Sequence, residues 1–191
     1  MTPTLARAVV LCDANVLYAS LLRDLIVRLG VAGVLHPRWT AQIHDEWTRN
    51  LLSQRPDLDP QSLLRTRQLM DDAVPESLLT GPIDLQPVGL PDPDDEHVLA
   101  AARMAGASVL LTFNLSDFPA TLVGPGLSVL HPDVLFTLLL VELEADVLAA
   151  LVKLRRNLSR PALSALDLTH AFERLRLFTF AQQLQAHLAR F

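Results

Sequence analysis

The residues of this chain best placed to do chemistry are acids that stand where an apolar run ends. Ala8–Asp13 reads AVVLCD, a β-branched apolar run closing on Asp13, with Asn15 two residues on. A loop rich in Pro and Asp, Gly89–Asp94, delivers Asp92 and Asp94 just ahead of Asp95 and Glu96. A second apolar run, Ser108–Thr112, leads through Phe113 and Asn114 to Asp117. In open α/β sheets ligands bind beyond the carboxyl ends of the strands, so these are the positions to question. Each has an ordinary use as well: Asp13 or Asn15 as a helix N-cap, Asp92 and its neighbours as caps at a helix's positive end, Asn114–Asp117 as an Asx turn.

Helical spacing sharpens the choice. Asp95 shares the stripe of Val98, Leu99 and Ala102 and is expected to face inward, whereas Glu96 is in phase with Arg103 and is expected to face outward. Glu46 falls roughly 60° around the helix from Ile43, on the rim of an apolar face; a wet rim is the alternative. Four carboxylates, Asp13, Glu46, Asp95 and Asp117, are thus expected to converge at one end of one sheet. Packed like charges either raise a pKa or hold a hard divalent cation. Oxygen-only ligation suits Mg²⁺ or Mn²⁺ over zinc, and a metal-bound water beside phosphoryl oxygens is the chemistry of phosphodiester hydrolysis.

The elements that must position these acids follow from periodicity. Ala8–Asp13 and Ser108–Thr112 read as buried strands, Ser128–Leu130 as a weaker one and Asp84–Val88 as strand-like. Helices are expected over Asn15–Leu29 with Gly30 as its stop, over Arg38–Asn50 with Trp39, Ile43, Trp47 and Leu51 in phase, over Gln61–Asp72, and over Asp95–Ala105. Pro132 opens a pattern that is helical almost to Phe191, broken near Ser159–Pro161. Strand–helix alternation up to about residue 131 predicts an α/β domain with a mostly parallel sheet, followed by helices.

Composition narrows the field. The 191 residues are 50% hydrophobic and 19% charged, enough for a core without staples, and the lone Cys12 excludes a disulfide framework or a thiolate zinc cluster. No apolar run reaches the roughly 18 residues of a membrane span, and Met1–Ala8 lacks the pattern of a secretory signal; a soluble cytoplasmic protein with no membrane partner is expected. Residues 1–150 carry nine basic and nineteen acidic side chains, residues 151–191 seven basic and two acidic. An acidic body with a basic tail suggests an electrostatic partner, nucleic acid or an acidic protein face; solvated helix faces are the alternative. There is no phosphate-binding G-x-x-x-x-G-K-[ST] loop, no G-x-G-x-x-G, no H-E-x-x-H and no G-x-S-x-G. Aspartyl-phosphate folds need a lysine near the phosphoryl group, and the only one, Lys153, lies outside the α/β part. His97 reads as structural or groove-lining rather than as a ligand.

Taken together, VVLCDANVL, WTAQIHDEWTRNLL, LPDPDDEHVLAAARMAGASVLLTFNLSDFP and a last short strand before HPDVL resemble a PIN domain over about residues 8–140. Among PIN domains they are most similar to VapC-type toxins with a C-terminal helical extension. The resemblance implies a three-layer α/β/α fold in residues 1–140, an all-helical extension over 141–191, Mg²⁺- or Mn²⁺-dependent endoribonuclease activity, a cognate antitoxin that blocks the acidic groove, and a homodimer. It matches Asp13, Glu46, Asp95 and Asp117 to the catalytic and metal-binding acids, with Asp45 as a rival to Glu46. Asn15, Asp92, Thr112 and Asn114 are supporting residues, Thr112 orienting a carboxylate or a phosphate through its hydroxyl. Asn114 departs from the pattern, since many relatives carry an Asp there. A non-catalytic RNA- or protein-binding module and a housekeeping RNA-processing nuclease are the alternatives. Arg49, Arg103 or the 153–160 cluster would hold the RNA backbone, and the basic helices would contact RNA, wrap the antitoxin or complete the core.

Overall fold

Val9–Cys12 forms strand β1, and Val10, Leu11 and Cys12 have no exposed surface. An apolar strand covered on both faces belongs inside a parallel sheet. In the computed structural model, which describes residues 5–158 and 163–191, β1 lies between β2 (His36–Arg38) and β3 (Val109–Leu111), and β4 (Ser128–Leu130) adds to β3; every pairing is parallel. Helices α1 (Ala14–Tyr18), α2 (Ser20–Val31), α3 (Ala41–Gln54), α4 (Pro60–Ala73), α5 (Glu96–Met104) and the short α6 (Ala120–Val123) fill the crossovers. The chain then continues as α7 (Pro132–Glu142), α8 (Glu144–Asn157), α9 (Ala165–Arg174) and α10 (Phe178–Leu184). A parallel sheet flanked by helices, with further helices after it, is the fold the residues predict. The expected break near Ser159–Pro161 falls largely outside the described residues.

The departures from expectation have local causes. The helix expected over Asn15–Leu29 is two helices, parted at Ala19, whose ψ of 115° is extended. Arg23 stabilises the break by donating from Nη1 to the carbonyls of Leu17 and Tyr18, the free end of α1. Gly30 does not stop α2, which runs to Val31; a Cβ there would stand 2.9 Å from Pro37 Cγ, so glycine permits close packing, and the left-handed turn falls on Gly33 (φ 68°). Helix α3 begins at Ala41 rather than Arg38, because Thr40 Oγ1 accepts from Ile43 N–H and caps it there. His36–Pro37–Arg38, ahead of that cap, is extended and pairs with β1, a strand the helical phase of Trp39 hid. Asp84–Val88 forms no strand.

Helix α3 is fixed by one relay of buried polar groups. Trp39 Nε1–H donates to Asp71 Oδ1 at 2.7 Å, His44 Nε2 meets the same oxygen at 3.1 Å, and Trp47 Nε1–H donates to His44 Nδ1 at 2.9 Å. Indole can only donate, so His44 Nδ1 accepts and its proton sits on Nε2 toward Asp71. Burial lowers the His44 pKa, against the pull of Asp71, which keeps the ring neutral as the relay needs.

The C-terminal helices share the core of the sheet domain. Phe136 of α7, Phe172 of α9 and Phe180 of α10 are fully buried, with centroids 5.6 Å and 5.2 Å from Phe180 to the other two rings. Asp133 at the start of α7 accepts from the N–H groups of Thr179 and Phe180, capping α10. The division at residue 140/141 lies two residues before the end of α7. No helix among the described residues is long and apolar enough to cross a membrane.

Candidate active site

The carboxyl ends of β1 and β3 bring Asp13 and Thr112 side by side. Both are buried, and Thr112 Oγ1–H donates to Asp13 Oδ2 at 2.7 Å. Asn15 Nδ2 donates to Asp13 Oδ2 at 2.6 Å and to Thr112 Oγ1 at 2.9 Å, while its Oδ1 accepts from Phe113 N–H. Asn114 N–H donates to Thr112 Oγ1 as well, at 3.0 Å. The hydroxyl thus donates once and accepts twice, which uses its whole capacity and fixes the Asp13 carboxylate. Capping does not explain Asp13: its side chain makes no capping bond to α1.

Asp95 ends the Pro93–Asp95 turn as the N-cap residue of α5, one residue before the helix expected to include it, and it is half-buried. Loss of water around it, then the charges of Asp13, Asp92 and Asp117, push its pKa up to about 7. Burial also raises Asp13, opposed by Thr112 and the Ala14 N–H and reinforced by Glu46. Charges from segments far apart in sequence thus add to the effect of burial at Asp95 and at Asp13. Asp92 keeps its ordinary use too, accepting from Asp94 N–H at the head of the Pro93–Asp95 turn.

Glu46 stands on the rim of the apolar face of α3 and is held there: His97 Nε2 lies 2.7 Å from Glu46 Oε1, and Gln42 Nε2 donates to the same oxygen at 3.3 Å. His97 is buried, and its Nδ1 has no partner among the described residues. Asp45, the rival to Glu46, pairs with Arg67 at 2.7 Å and lines the same cleft as Glu46. Gln42, Glu46, Arg49 and Asn50 of α3 face Asp94 and Asp95 across an open polar cleft of about 390 Å³. Gln42 and Asn50 are cleft residues that sequence reasoning passed over; their spacing of four on either side of Glu46 is the signal that points to them.

Glu96 corrects the outward expectation. It is buried, and its carboxylate accepts from the N–H groups of Val88, Gly89 and Leu90, bonds that hold its pKa below the ordinary range. The same contacts explain why Asp84–Val88 is no strand. Its chain end is bound to a carboxylate instead of a ladder, and this latch holds the loop ahead of Asp92 against α5.

The model of the PIN domain family matches residues 9–116, from the start of β1 past β3 to the turn that carries Asp117. The chain belongs to the PIN domain family. No curated protein and no solved structure matches it. PIN domains are in general metal-dependent nucleases, and the chemistry of this donor set is compatible with that. Its acids are all carboxylates, which are hard oxygen ligands suited to a hard divalent cation. No group of three or more His, Cys, Asp or Glu forms a ready ligand sphere among the described residues. Mg²⁺ does not need one, since it keeps several waters and takes one or two carboxylates together with substrate phosphate.

Proposed function

We propose that this PIN domain is a Mg²⁺- or Mn²⁺-dependent endoribonuclease, and that Asp13, Glu46, Asp95 and Asp117 are its catalytic acids. The observation that carries the reading is a buried Asp13 carboxylate at the end of β1, held by Thr112 and Asn15, together with Glu46 and Asp95 lining one open polar cleft. The charge of Asp117, in the turn after β3, adds to the rise in the Asp95 pKa. Asp13 and Asp95 would hold the ion, with Asp117 and Glu46 completing its surroundings directly or through water. When bound, the ion lowers the pKa of its water and offsets charge on the phosphoryl oxygens.

The chain's own residues set the conditions. Thr112 and Asn15 fix the Asp13 carboxylate in one orientation. Asp95, its pKa pushed up to about 7 by burial and then by neighbouring acids, would have to be ionised to hold the ion, so ion binding there would favour its deprotonated form. His97 and Gln42 keep Glu46 turned toward the cleft.

Purified protein incubated with single-stranded RNA and Mg²⁺ is expected to cleave it, and EDTA to stop it. Asp13→Ala and Asp95→Ala should each slow cleavage at least about a hundredfold; equal cleavage by these variants contradicts the reading. Asn114, neutral where many PIN domains are acidic, favours a second reading, a binding module without turnover. RNA bound but never cut, with or without metal, would establish it.

The finer part of the proposal is physiological: the toxic member of a type II toxin–antitoxin pair, working in the cytoplasm as a homodimer, its acidic groove covered by a cognate antitoxin. The order and spacing of the motifs and the helices after residue 141 support it. Induced expression in bacteria is expected to arrest growth, and Asp13→Ala to relieve the arrest. Normal growth with the wild-type chain removes the toxin role and leaves the nuclease chemistry standing.

A further inference from the structure

The geometry points to Arg49 as the residue that grips the RNA backbone next to the cleavage site, an inference that rests on the nuclease reading above. Arg49 lies in the polar cleft with Glu46 and Asp95, and it is the one basic side chain lining that cleft among the described residues. It follows Glu46 by three residues on α3, a displacement of about 4.5 Å along the axis and nearly one full turn, so both face the same space.

Arg49 has natural partners on its own helix, and the fold has engaged both elsewhere. Asp45, four residues earlier, would make an ordinary intrahelical pair. Instead Arg67 reaches across from α4 and takes the Asp45 carboxylate at 2.7 Å. Glu46, three residues earlier, is bonded through Oε1 to His97 and Gln42. The guanidinium is exposed and makes no ion pair or hydrogen bond among the described residues, and the Asn50 amide beside it is equally free. A guanidinium presents a planar fork that matches phosphate oxygens, and here it stands against acids that would otherwise repel the substrate.

Among the described residues the rival cations are engaged or elsewhere; Arg160 of the 153–160 cluster lies outside them. Arg103 Nη2 donates to the carbonyls of Leu122 and Val123, and Arg155 Nη1 to that of Leu163. Lys153 and Arg156 are exposed on α8 but do not line the cleft. The cleft is open and polar and holds about 390 Å³. Arg49 therefore binds a backbone phosphate of the strand that occupies it.

The test uses a fluorescein-labelled single-stranded RNA decamer and the full chain with Mg²⁺. Cleavage kinetics are read on Arg49→Ala, Arg49→Lys and Arg156→Ala, and binding is read by anisotropy on the same changes in an Asp13→Asn background. Arg49→Ala should raise KM and weaken binding about tenfold, and flatten the dependence of log K on log salt by about 0.7, one phosphate contact on a single strand. Arg49→Lys should restore the salt slope but not the full affinity, and Arg156→Ala should match the parent. Binding by Arg49→Ala equal to its parent, or an equal loss in Arg156→Ala, overturns the inference while wild-type cleavage upholds the nuclease reading. A wild-type chain that neither binds nor cuts the decamer overturns both.

Discussion

The carboxyl end of the sheet and the C-terminal helices are built on opposite terms. At the sheet end, burial first and then the charges of Asp13, Asp92 and Asp117 push the Asp95 pKa up to about 7, which works against folding with the carboxylate ionised. In the helices several polar groups find partners, although Thr137 Oγ1 and Arg155 Nε are buried without one among the described residues. Asp133 caps α10, Ser164 and Asp167 form a reciprocal capping box at α9, and Arg190 pairs with Glu144, while Phe136, Phe172 and Phe180 pack ring against ring. One region gathers acids whose charges oppose one another, and the other packs aromatic rings and capped helix ends.

The comparison breaks most readily in the helices. Phe172→Ala is expected to cost about 3–5 kcal/mol of unfolding free energy, as truncation of a fully buried aromatic does, with cleavage per folded molecule unchanged. Chemical denaturation beside initial rates checks it; a mild stability loss with lost activity would mean the helices buttress the cleft. Removing the Ser164 cap by Ser164→Ala should cost about 1 kcal/mol in the same assay, again without touching activity.

The sheet end should show the reverse sign. Asp95 has a folded pKa of about 7 against an ordinary 3.8, so the native state binds more protons than the unfolded one between those values. Metal-free protein therefore loses stability as pH rises from about 4 to about 7, and the loss is complete above that. The directional rise at Asp13 adds to the same trend. Asp95→Asn removes most of this slope, so its melting temperature in EDTA should meet or exceed that of the wild type at pH 8. A wild-type slope unchanged in Asp95→Asn would show that the acids do not share a field. The smallest effect is at Cys12, whose thiol burial pushes up to about 12. A thiol-disulfide reagent at pH 8 should leave it untouched in native protein and modify it fully after denaturation.

Much of this architecture could be read from the residues. Val9–Cys12 and Val109–Leu111 announce themselves because a strand covered on both faces reads as a continuous apolar run, and the weaker signal of Ser128–Leu130 matches its place as a partly exposed edge strand. Phase also misled, in instructive ways. Trp39 repeats with Ile43 and Trp47 as though helical, yet the Thr40 cap starts α3 after it, and Trp39 is buried by a strand bridge to Leu78 and a bond to Asp71. Glu96 matches Arg103 on a helical wheel, but three backbone N–H groups of the preceding loop hold its carboxylate instead. Both errors have the same source: a partner outside the helix supplied the hydrogen bonds, and periodicity carries no record of it. The Glu46–His97 contact and the freeing of Arg49 are of that kind too.

The account stands on the gathered acids being a seat for a divalent ion. Titration of metal-free protein with Mn²⁺, followed by calorimetry at pH 7, addresses this without RNA. The expected result is saturable binding with proton release, abolished in Asp13→Asn and Asp95→Asn and retained in Phe172→Leu. No heat at millimolar Mn²⁺, or binding that survives both aspartate changes, would contradict it.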